Sequence, residues 1–154
     1  AKFGFVFSRR GIVPEAASSW FLPRLVGISR AMEWVASGEV FPAEEAMAGG
    51  LVRSVHEPDD LLPAAYALAR RLTESSSPVS IAVARKMMWR MLGADHPMAA
   101  HKVDSRGILE RGRSEDVKEG INSFFEKRAP QFPDKVSDGL GTIFSDWDDP
   151  TYDS

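Results

Sequence analysis

Residues 11–27 read GIVPEAASSWFLPRLVG, and the interpretation of the whole chain depends on this stretch. Pro14 and Glu15 stand directly before four small residues, and the apolar segment that follows contains a second proline, Pro23. Proline suits the first position of a helix, and a glutamate there lies near the positive end of the helix dipole. The pattern therefore predicts a helix that begins at Pro14 and is limited by Pro23.

Upstream of this stretch, residues 3–7 (FGFVF) form a strongly apolar segment that predicts a β-strand. A strand this hydrophobic is typical of a sheet position with neighbours on both sides. Almost nothing later in the chain has the pattern of a long strand. We therefore expect the chain to be a fragment, with the remainder of its sheet upstream.

Downstream, turn and cap residues divide the chain into short elements and then four longer helices. The sequence predicts a helix over 29–37 that Gly38 closes, an extended piece at 40–41, a helix over 42–48 and a strand over 51–55. The first of the longer helices is predicted to be capped by Asp59 or Asp60, and the second to start at Ser77-Pro78. The third is predicted to start at Asp95 with Pro97. The fourth is predicted to be capped by Ser114 and to end at Pro130. Three of them carry apolar stripes: Leu62, Ala65, Leu68, Ala69 and Leu72; Ile81, Ala84, Met88 and Leu92; Val117, Ile121, Phe124 and Phe125.

From Asp134 onward, six Asp accompany a single Lys, with Gly, Ser and Pro around them. This composition predicts an acidic and mostly irregular tail. Its aromatic residues Phe144 and Trp147 are available to dock on the folded part of the chain.

Composition and charge exclude several classes of function. The 154 residues are 44% hydrophobic and 27% charged, as in an ordinary globular protein, and a net charge of −3 gives no positive field for nucleic acid. Cysteine is absent, and His56, His96 and His101 show no metal-ligand spacing, so we expect no disulfide and no metal site. No apolar run approaches the roughly 20 residues of a membrane span, and no signal peptide is visible. We therefore expect a cytoplasmic protein with no membrane or nucleic-acid partner.

Several motifs, in this order and with family-like spacing, give the chain a resemblance to the crotonase, or enoyl-CoA hydratase/isomerase, family. They are Phe3-Gly4, Gly11-Ile12-Val13-Pro14, Leu22-Pro23-Arg24-Leu25-Val26-Gly27, Ala31, Gly38, Ala43-Glu44-Glu45-Ala46, Gly50-Leu51-Val52, Lys86 and the run from Glu119 to Arg128. The likeness extends from residue 1 to about Phe132 and corresponds to the second half of a typical member. It implies a crotonase-like (ClpP/crotonase) α/β spiral fold in the parent, with this fragment mainly α and containing a few short strands.

The resemblance implies an acyl-CoA thioester as the substrate, with coenzyme A as part of that substrate and no other cofactor. In the family, two backbone N–H groups form an oxyanion hole that stabilises an enolate, and carboxylates move the protons. Both N–H donors come from the upstream half in the family, and that half is expected to be missing here. The fragment alone is therefore expected to be inactive.

Carboxylates discriminate between the family's reactions. Family hydratases place a catalytic Glu four residues before the glycine that aligns with Gly11, and this chain has Phe7 there, which cannot transfer a proton. Pro14-Glu15, followed by small residues and Ser18-Ser19, instead resembles the family's enoyl-CoA isomerases, which need one base. The resemblance therefore implies Glu15 as the catalytic base of a double-bond shift, with Phe7 and Trp20 in the acyl pocket. An ordinary acidic residue in a first helical turn is the alternative for Glu15.

The resemblance also implies that Phe124 and Lys127 lie near the CoA nucleotide, often from a neighbouring subunit, because family members are usually homotrimers or hexamers. Core packing of Phe124 and a solvated Lys127 are the alternative. We expect three regions: 1–58, the end of the crotonase core with part of the acyl-CoA pocket; 59–132, a helical oligomerisation region; and 133–154, the acidic tail. Two other functions stay open: a hydratase whose acid lies upstream, and a non-catalytic acyl-CoA-binding or oligomerisation module.

Overall fold

Helices make up most of this computed structural model, which describes residues 1–147. Residues 148–154, the end of the predicted acidic tail, lie outside the described residues. The chain divides into two compact units, Ala1–Ala65 and Tyr66–Ser154. The elements are β1 (Lys2–Gly4), a 3₁₀ turn (Ser8–Arg10), α1 (Ser18–Val26), α2 (Ile28–Ser37), β2 (Val40–Pro42), α3 (Ala43–Ala48), α4 (Pro58–Thr73), α5 (Pro78–Met91), α6 (Pro97–Arg111), α7 (Glu115–Glu126) and α8 (Val136–Gly139).

The first unit is built around a two-stranded antiparallel sheet in which Phe3 pairs with Phe41. The predicted strand over 3–7 is shorter than expected, since β2 offers only three residues for pairing. Phe41 and Trp34 are buried, and their rings stack with centroids 4.3 Å apart. Phe5 stacks with both rings, its centroid 6.1 Å from that of Trp34 and 6.4 Å from that of Phe41, so an aromatic cluster joins the sheet to α2. This cluster forms the core of the first unit together with Leu22, Ala31 and Ala46.

The C-terminal end of α2 is capped by the 3₁₀ turn. Ser8 Oγ donates to the Val35 carbonyl at 2.6 Å, and Arg9 Nε donates to the Ser37 carbonyl at 2.6 Å. A guanidinium at this end of a helix also complements the negative end of the helix dipole. Gly38 closes α2 as predicted, in the left-handed conformation that favours glycine.

The start of α1 differs from the sequence-based prediction. Pro14-Glu15 does not open the helix, because Ala16 and Ala17 both have positive φ angles, of 51° and 56°, and α1 begins only at Ser18. Pro23 does not end it either. The helix passes through Pro23 and stops at Val26, where Gly27 follows with a φ of 79°. One missing N–H near the middle of a short helix is tolerated, and the glycine is the effective stop signal.

The predicted strand over 51–55 is also absent; these residues form a bend and an irregular segment. The N–H groups of Leu51 and Val52 both donate to the Ala46 carbonyl, at 2.8 and 3.3 Å. These donors therefore fold the chain back on α3 rather than joining a sheet. The remaining helices begin within one or two residues of the predicted positions, but two predicted caps are wrong: α4 begins at Pro58, before Asp59 and Asp60, and His96 rather than Asp95 caps α6.

The second unit has a small apolar core between α5 and α6, made by Val79, Val83, Val103 and Ile143. The buried face of α5 is therefore not the predicted stripe, whose members Met88 and Leu92 are exposed. The helix carries apolar residues on two sides, and periodicity alone does not distinguish which side packs.

Residues beyond α8 complete this core. Ile143 is fully buried, and Phe144 and Trp147 pack beside it, so part of the predicted irregular tail docks on α5 and α6. Arg106 pairs with Asp146, and Lys86 Nζ lies 4.8 Å from the centre of the Phe144 ring. No helix among residues 1–147 is long and apolar enough to cross a lipid bilayer.

We expect alanine at Gly49 to destabilise the fold, because Gly49 lies against the ring of the buried Trp34. A Cβ at Gly49 would lie 2.5 Å from the nearest ring carbon of Trp34. We expect Gly49→Ala to lower the free energy of unfolding by about 1–3 kcal/mol, measured by urea denaturation followed through tryptophan fluorescence. Gly93→Ala is the control, since the nearest atom to its added methyl is 3.9 Å away. Equal stability of the two variants would contradict the close contact.

The docking of the tail is tested at Ile143. We expect Ile143→Ala to cost about 2–5 kcal/mol of stability, because the substitution leaves a cavity in a fully packed site. Ile108→Ala makes the same chemical change at a side chain that is 77% exposed, and is expected to change stability by less than about 0.5 kcal/mol. Similar unfolding midpoints for both variants in urea would show that residues 140–147 do not pack as described.

Candidate functional site

Glu15 lies in the irregular segment between the 3₁₀ turn and α1. Its side chain is exposed, and within residues 1–147 its carboxylate makes no hydrogen bond or ion pair. Its carbonyl is held instead, accepting from Ser18 N at 3.0 Å and Ser18 Oγ at 2.6 Å. The backbone at Glu15 is thus fixed while its carboxylate stays open to solvent in this chain.

The backbone directly after Glu15 is strained. Ala16 and Ala17 are consecutive non-glycine residues in the left-handed region, which costs roughly 1–2 kcal/mol for each residue. Among residues 1–147, the one other non-glycine residue with a positive φ angle is Lys127, at 55°. Such conformations persist where surrounding contacts enforce them, and they cluster at functional sites. The strained residues therefore include Lys127 itself and the two alanines that directly follow Glu15.

Phe7 and Trp20 flank this segment along the chain, and both are half-buried. The Phe7 carbonyl accepts from Arg10 N and Ile12 N, which closes the turn that leads towards Glu15. The Arg24 guanidinium lies 4.0 Å from the centre of the Trp20 ring. Ile12 and Val13, just before Pro14, are 57% and 77% exposed, so the surface beside Glu15 is apolar.

Two further candidate residues, Phe124 and Lys127, belong to the second unit and lie at the C-terminal end of α7. Phe124 is 79% exposed, its ring meets Phe125 edge-on at 5.8 Å, and Lys127 follows as the left-handed cap residue. Core packing of Phe124, the alternative given by helix patterning, is wrong. The exposed apolar residues of α7 include Ile121, so the predicted stripe faces largely away from the core of the second unit.

α7 is held through its polar side instead. Asp116 is 3% exposed and accepts hydrogen bonds from Ser77 Oγ at 2.5 Å, Arg111 Nη2 at 3.0 Å and Asp134 N at 2.9 Å. Arg111 also binds Asp134, at 2.8 Å. These contacts join the starts of α5 and α7, the end of α6 and the segment after α7 at one buried carboxylate. A buried charge is stable only when it is paired in this way.

A second ionic cluster fixes the chain just after α7. Arg128 donates through Nη1 and Nη2 to the two carboxylate oxygens of Glu119, at 2.5 and 2.9 Å. Glu119 also accepts from Gln131 N at 2.6 Å, and Arg128 Nε donates to Glu126 at 2.6 Å. The hydrogen bonds from Arg128 and then Gln131 lower the pKa of Glu119 to about 2, and Glu119 raises the pKa of Arg128 above its ordinary value.

Among the open cavities of the second unit, two share part of their lining. The larger, about 410 Å³, is walled by Ile108, Val117, Ile121 and Phe132, with Arg111 and Asp116 among its polar residues. The other, about 320 Å³, shares Ile108 and Arg111. Neither is lined by Glu15, Phe124 or Lys127. Arg111 Nε is buried without a hydrogen-bond partner in the described chain, and residues 1–147 contain no cluster of side chains that could hold a metal ion.

Sequence reasoning missed Asp116, Glu119 and Arg128 as organising residues. It interpreted Asp116 only as part of a helix start, and Glu119 and Arg128 only as members of a family-like run. For Glu119 and Arg128, the sequence spacing was the signal that could have indicated the pair. Nine positions separate Glu119 from Arg128, and the helix ends between them, so only a chain that folds back on α7 brings the pair together.

Comparisons with known proteins give matches along most of this chain. The family model described as enoyl-CoA hydratase/isomerase matches residues 1–135. An enoyl-CoA hydratase of Alternaria alternata is 39% identical over 142 residues, which are 92% of this chain and 47% of that protein. A 1,2-epoxyphenylacetyl-CoA isomerase of Escherichia coli (strain K12) is 32% identical over 141 residues, 88% of this chain and 51% of that protein. The chain spans about half the length of the curated relatives it matches.

Solved structures show the same fold. A probable enoyl-CoA hydratase/isomerase from Mycobacterium abscessus superposes with a TM-score of 0.80 at 26% identity, over 88% of this chain and 55% of that one. An enoyl-CoA hydratase from Mycobacterium tuberculosis H37Rv gives 0.78 at 30% identity, over 86% and 52%. The expectation of a crotonase fold with a mainly helical fragment is confirmed.

Acid titration tests the Glu119 cluster. The folded-state pKa of Glu119, about 2, lies below its ordinary value of 4.5. Its contribution to stability is therefore fully present above pH 4.5 and is lost as the pH falls towards 2. We expect Glu119→Gln to be less stable than the wild type near neutral pH, with a difference that shrinks between pH 4.5 and 2 in thermal unfolding. Glu115→Gln, which breaks an exposed pair with Lys118, is the control, and a constant difference for Glu119→Gln would contradict the prediction.

Proposed function

This chain belongs to the enoyl-CoA hydratase/isomerase family, and from that membership we propose that the complete protein isomerises an enoyl-CoA thioester with Glu15 as its single base. The observation that carries the proposal is the strained Ala16-Ala17 backbone immediately after an unpaired glutamate. Strain at that point has no evident structural benefit, because a helix could begin without it. A fixed backbone and an unpartnered carboxylate are what a proton-transferring residue requires.

The proposed reaction moves a double bond and changes no oxidation state. The Glu15 carboxylate takes a proton from the carbon α to the thioester, and the electron pair passes into the thioester carbonyl as an enolate. The same carboxyl group then returns a proton to the γ carbon, so the β,γ double bond becomes an α,β double bond. Atoms and charge balance with one acid–base group, and coenzyme A in the substrate is the only cofactor the reaction needs.

Phe7 supports isomerisation over hydration. Adding water across a double bond needs one group to position the water and another to deliver a proton, and a phenyl ring can do neither. The half-buried rings of Phe7 and Trp20 suit an apolar acyl chain instead. In this proposal the exposed apolar surface at Ile12 and Val13 is covered in the complete protein, which desolvates the base.

The end of α7 supports binding of the nucleotide part of CoA. Phe124 offers an exposed aromatic ring on which a purine can stack, and Lys127 offers a cation that no described residue neutralises. Both lie on one helix end, and Lys127 N donates to the Phe124 carbonyl at 3.3 Å.

A homotrimer or a pair of trimers is part of this proposal, with residues 59–132 as the contact region. The support is the exposed apolar surface of α4. No residue of α4 is buried, and Leu61, Leu62, Tyr66 and Leu72 are each more than half exposed. Faces of this kind on a folded protein mark surfaces that another chain covers. The oxyanion-hole donors are proposed to lie outside this chain, which alone would then be inactive.

Hydration is the second candidate, because several matching relatives carry the name enoyl-CoA hydratase. Its proton donor would then lie outside this chain. A third, non-catalytic candidate is an acyl-CoA-binding or oligomerisation module, which the unpaired faces of α4 and α7 also fit.

The test compares Glu15→Gln with the wild-type complete protein on a 3-enoyl-CoA and on a 2-enoyl-CoA. We expect conversion of the 3-enoyl thioester, followed by the absorbance of the conjugated product, to fall at least about 100-fold because the amide cannot accept the proton. Glu33→Gln, which makes the same change at an exposed residue of α2, is expected to keep full activity.

The other possible outcomes argue against Glu15 as the base or favour one of the alternative functions. Isomerisation that survives in Glu15→Gln would show that Glu15 is not the base. Hydration of the 2-enoyl-CoA without isomerisation of the 3-enoyl-CoA would favour the hydratase. Binding of both thioesters without turnover would favour the non-catalytic module.

A further inference from the structure

Two adjacent cationic residues, Lys127 and Arg128, follow α7, and their side chains make different contacts. All of the side-chain nitrogens of Arg128 are engaged: Nη1 and Nη2 with Glu119, and Nε with Glu126. The ammonium group of Lys127 has no acceptor within residues 1–147. Arg128 is therefore committed to the fold, while Lys127 remains available to an anionic ligand.

The bonds of Glu119 fix the turn in which Lys127 stands. Glu119 projects from the middle of α7 and binds the chain on the far side of the turn at two points, the Arg128 side chain and Gln131 N. Backbone bonds from Lys127 N to the Phe124 carbonyl and from Arg128 N to the Ser123 carbonyl close the turn at its base. A lysine with a φ angle of 55° needs such support, because a side chain with a Cβ disfavours the left-handed region.

We propose that Glu119, acting through Arg128 and Gln131, is a positioning residue that holds Lys127 and Phe124 in place for the nucleotide end of an acyl-CoA. This inference rests on the proposed function, since it takes the phosphates and purine of CoA as the ligand. Glu119 itself does not touch the ligand. Its effect is to order the turn before binding, so that less conformational entropy is lost when the ligand arrives.

Two ligands separate positioning from general stability. Butyryl-CoA carries the nucleotide, and S-butyryl-pantetheine carries the same acyl group and thioester without it. Isothermal titration calorimetry at neutral pH on the complete protein gives a dissociation constant for each. Lys127→Ala is expected to weaken butyryl-CoA binding about tenfold, as expected for one hydrogen bond to a charged group, and Glu119→Gln about three- to tenfold. Neither substitution should change binding of the pantetheine thioester by more than about twofold, because neither residue faces that part of the ligand.

A double-mutant cycle and a matched control complete the experiment. Because Glu119 acts through the turn that carries Lys127, Glu119→Gln should have little further effect in the Lys127→Ala background. Arg128→Lys should behave like Glu119→Gln, since a lysine cannot make the same forked contact with a carboxylate. Glu115→Gln removes a different glutamate–cation pair from α7, remote from the turn, and should bind both ligands as the wild type does.

The results distinguish failure of the inference from failure of the proposed function. Suppose that Lys127→Ala weakens binding of butyryl-CoA but not of the pantetheine thioester, and that Glu119→Gln weakens neither. The inference is then wrong, and the proposed CoA site stands. The inference would also be overturned if Glu119→Gln weakened the binding of both ligands equally. It would likewise be overturned if the effects of Glu119→Gln and Lys127→Ala on the free energy of butyryl-CoA binding were fully additive. If Lys127→Ala leaves butyryl-CoA binding unchanged, the proposed nucleotide contact is wrong and the inference falls with it.

Discussion

The buried carboxylate of Asp116 is the constraint on which the helical unit depends. A charge that is 3% exposed must find its partners within the protein, and here a hydroxyl, a guanidinium and a backbone N–H meet it from three different segments. Among the described residues, the apolar core of this unit contains four buried side chains. Directional polar contacts therefore fix the relative positions of α5, α6 and α7 to a degree that so small a core would not achieve.

This arrangement leaves the apolar side of α7 free. A surface helix normally packs its apolar stripe inward and turns its polar side to water. α7 instead buries Asp116 and Ser123 and exposes Ile121, Phe124 and Phe125. The inversion is stable because the polar side is paired, and it leaves an aromatic surface exposed on the helix. The Glu119–Arg128 cluster extends the same principle to the turn that follows.

Local signals predicted several elements accurately. Gly38 ends α2, Ser77-Pro78 starts α5 and Ser114 caps α7, because each acts through backbone groups within a few residues of itself. The failures do not share one cause. The left-handed conformations of Ala16 and Ala17 delay the start of α1 to Ser18, and hydrogen bonds to the Ala46 carbonyl fold Leu51 and Val52 back on α3. The packed side of α5 was assigned to the wrong face because the helix is apolar on both.

The sequence by itself determined the family, the mainly helical character of the chain and the identity of Glu15, Phe124 and Lys127 as candidates, since ordered motifs and cap residues are properties of the chain alone. Only the tertiary structure decided that Arg128 is engaged while Lys127 has no acceptor among residues 1–147, and that Asp116 is buried. Two neighbouring cations look alike in a sequence. Their roles separate only when the chain folds back and brings Glu119 within 2.9 Å of one of them, because hydrogen bonds depend on distance and direction in space.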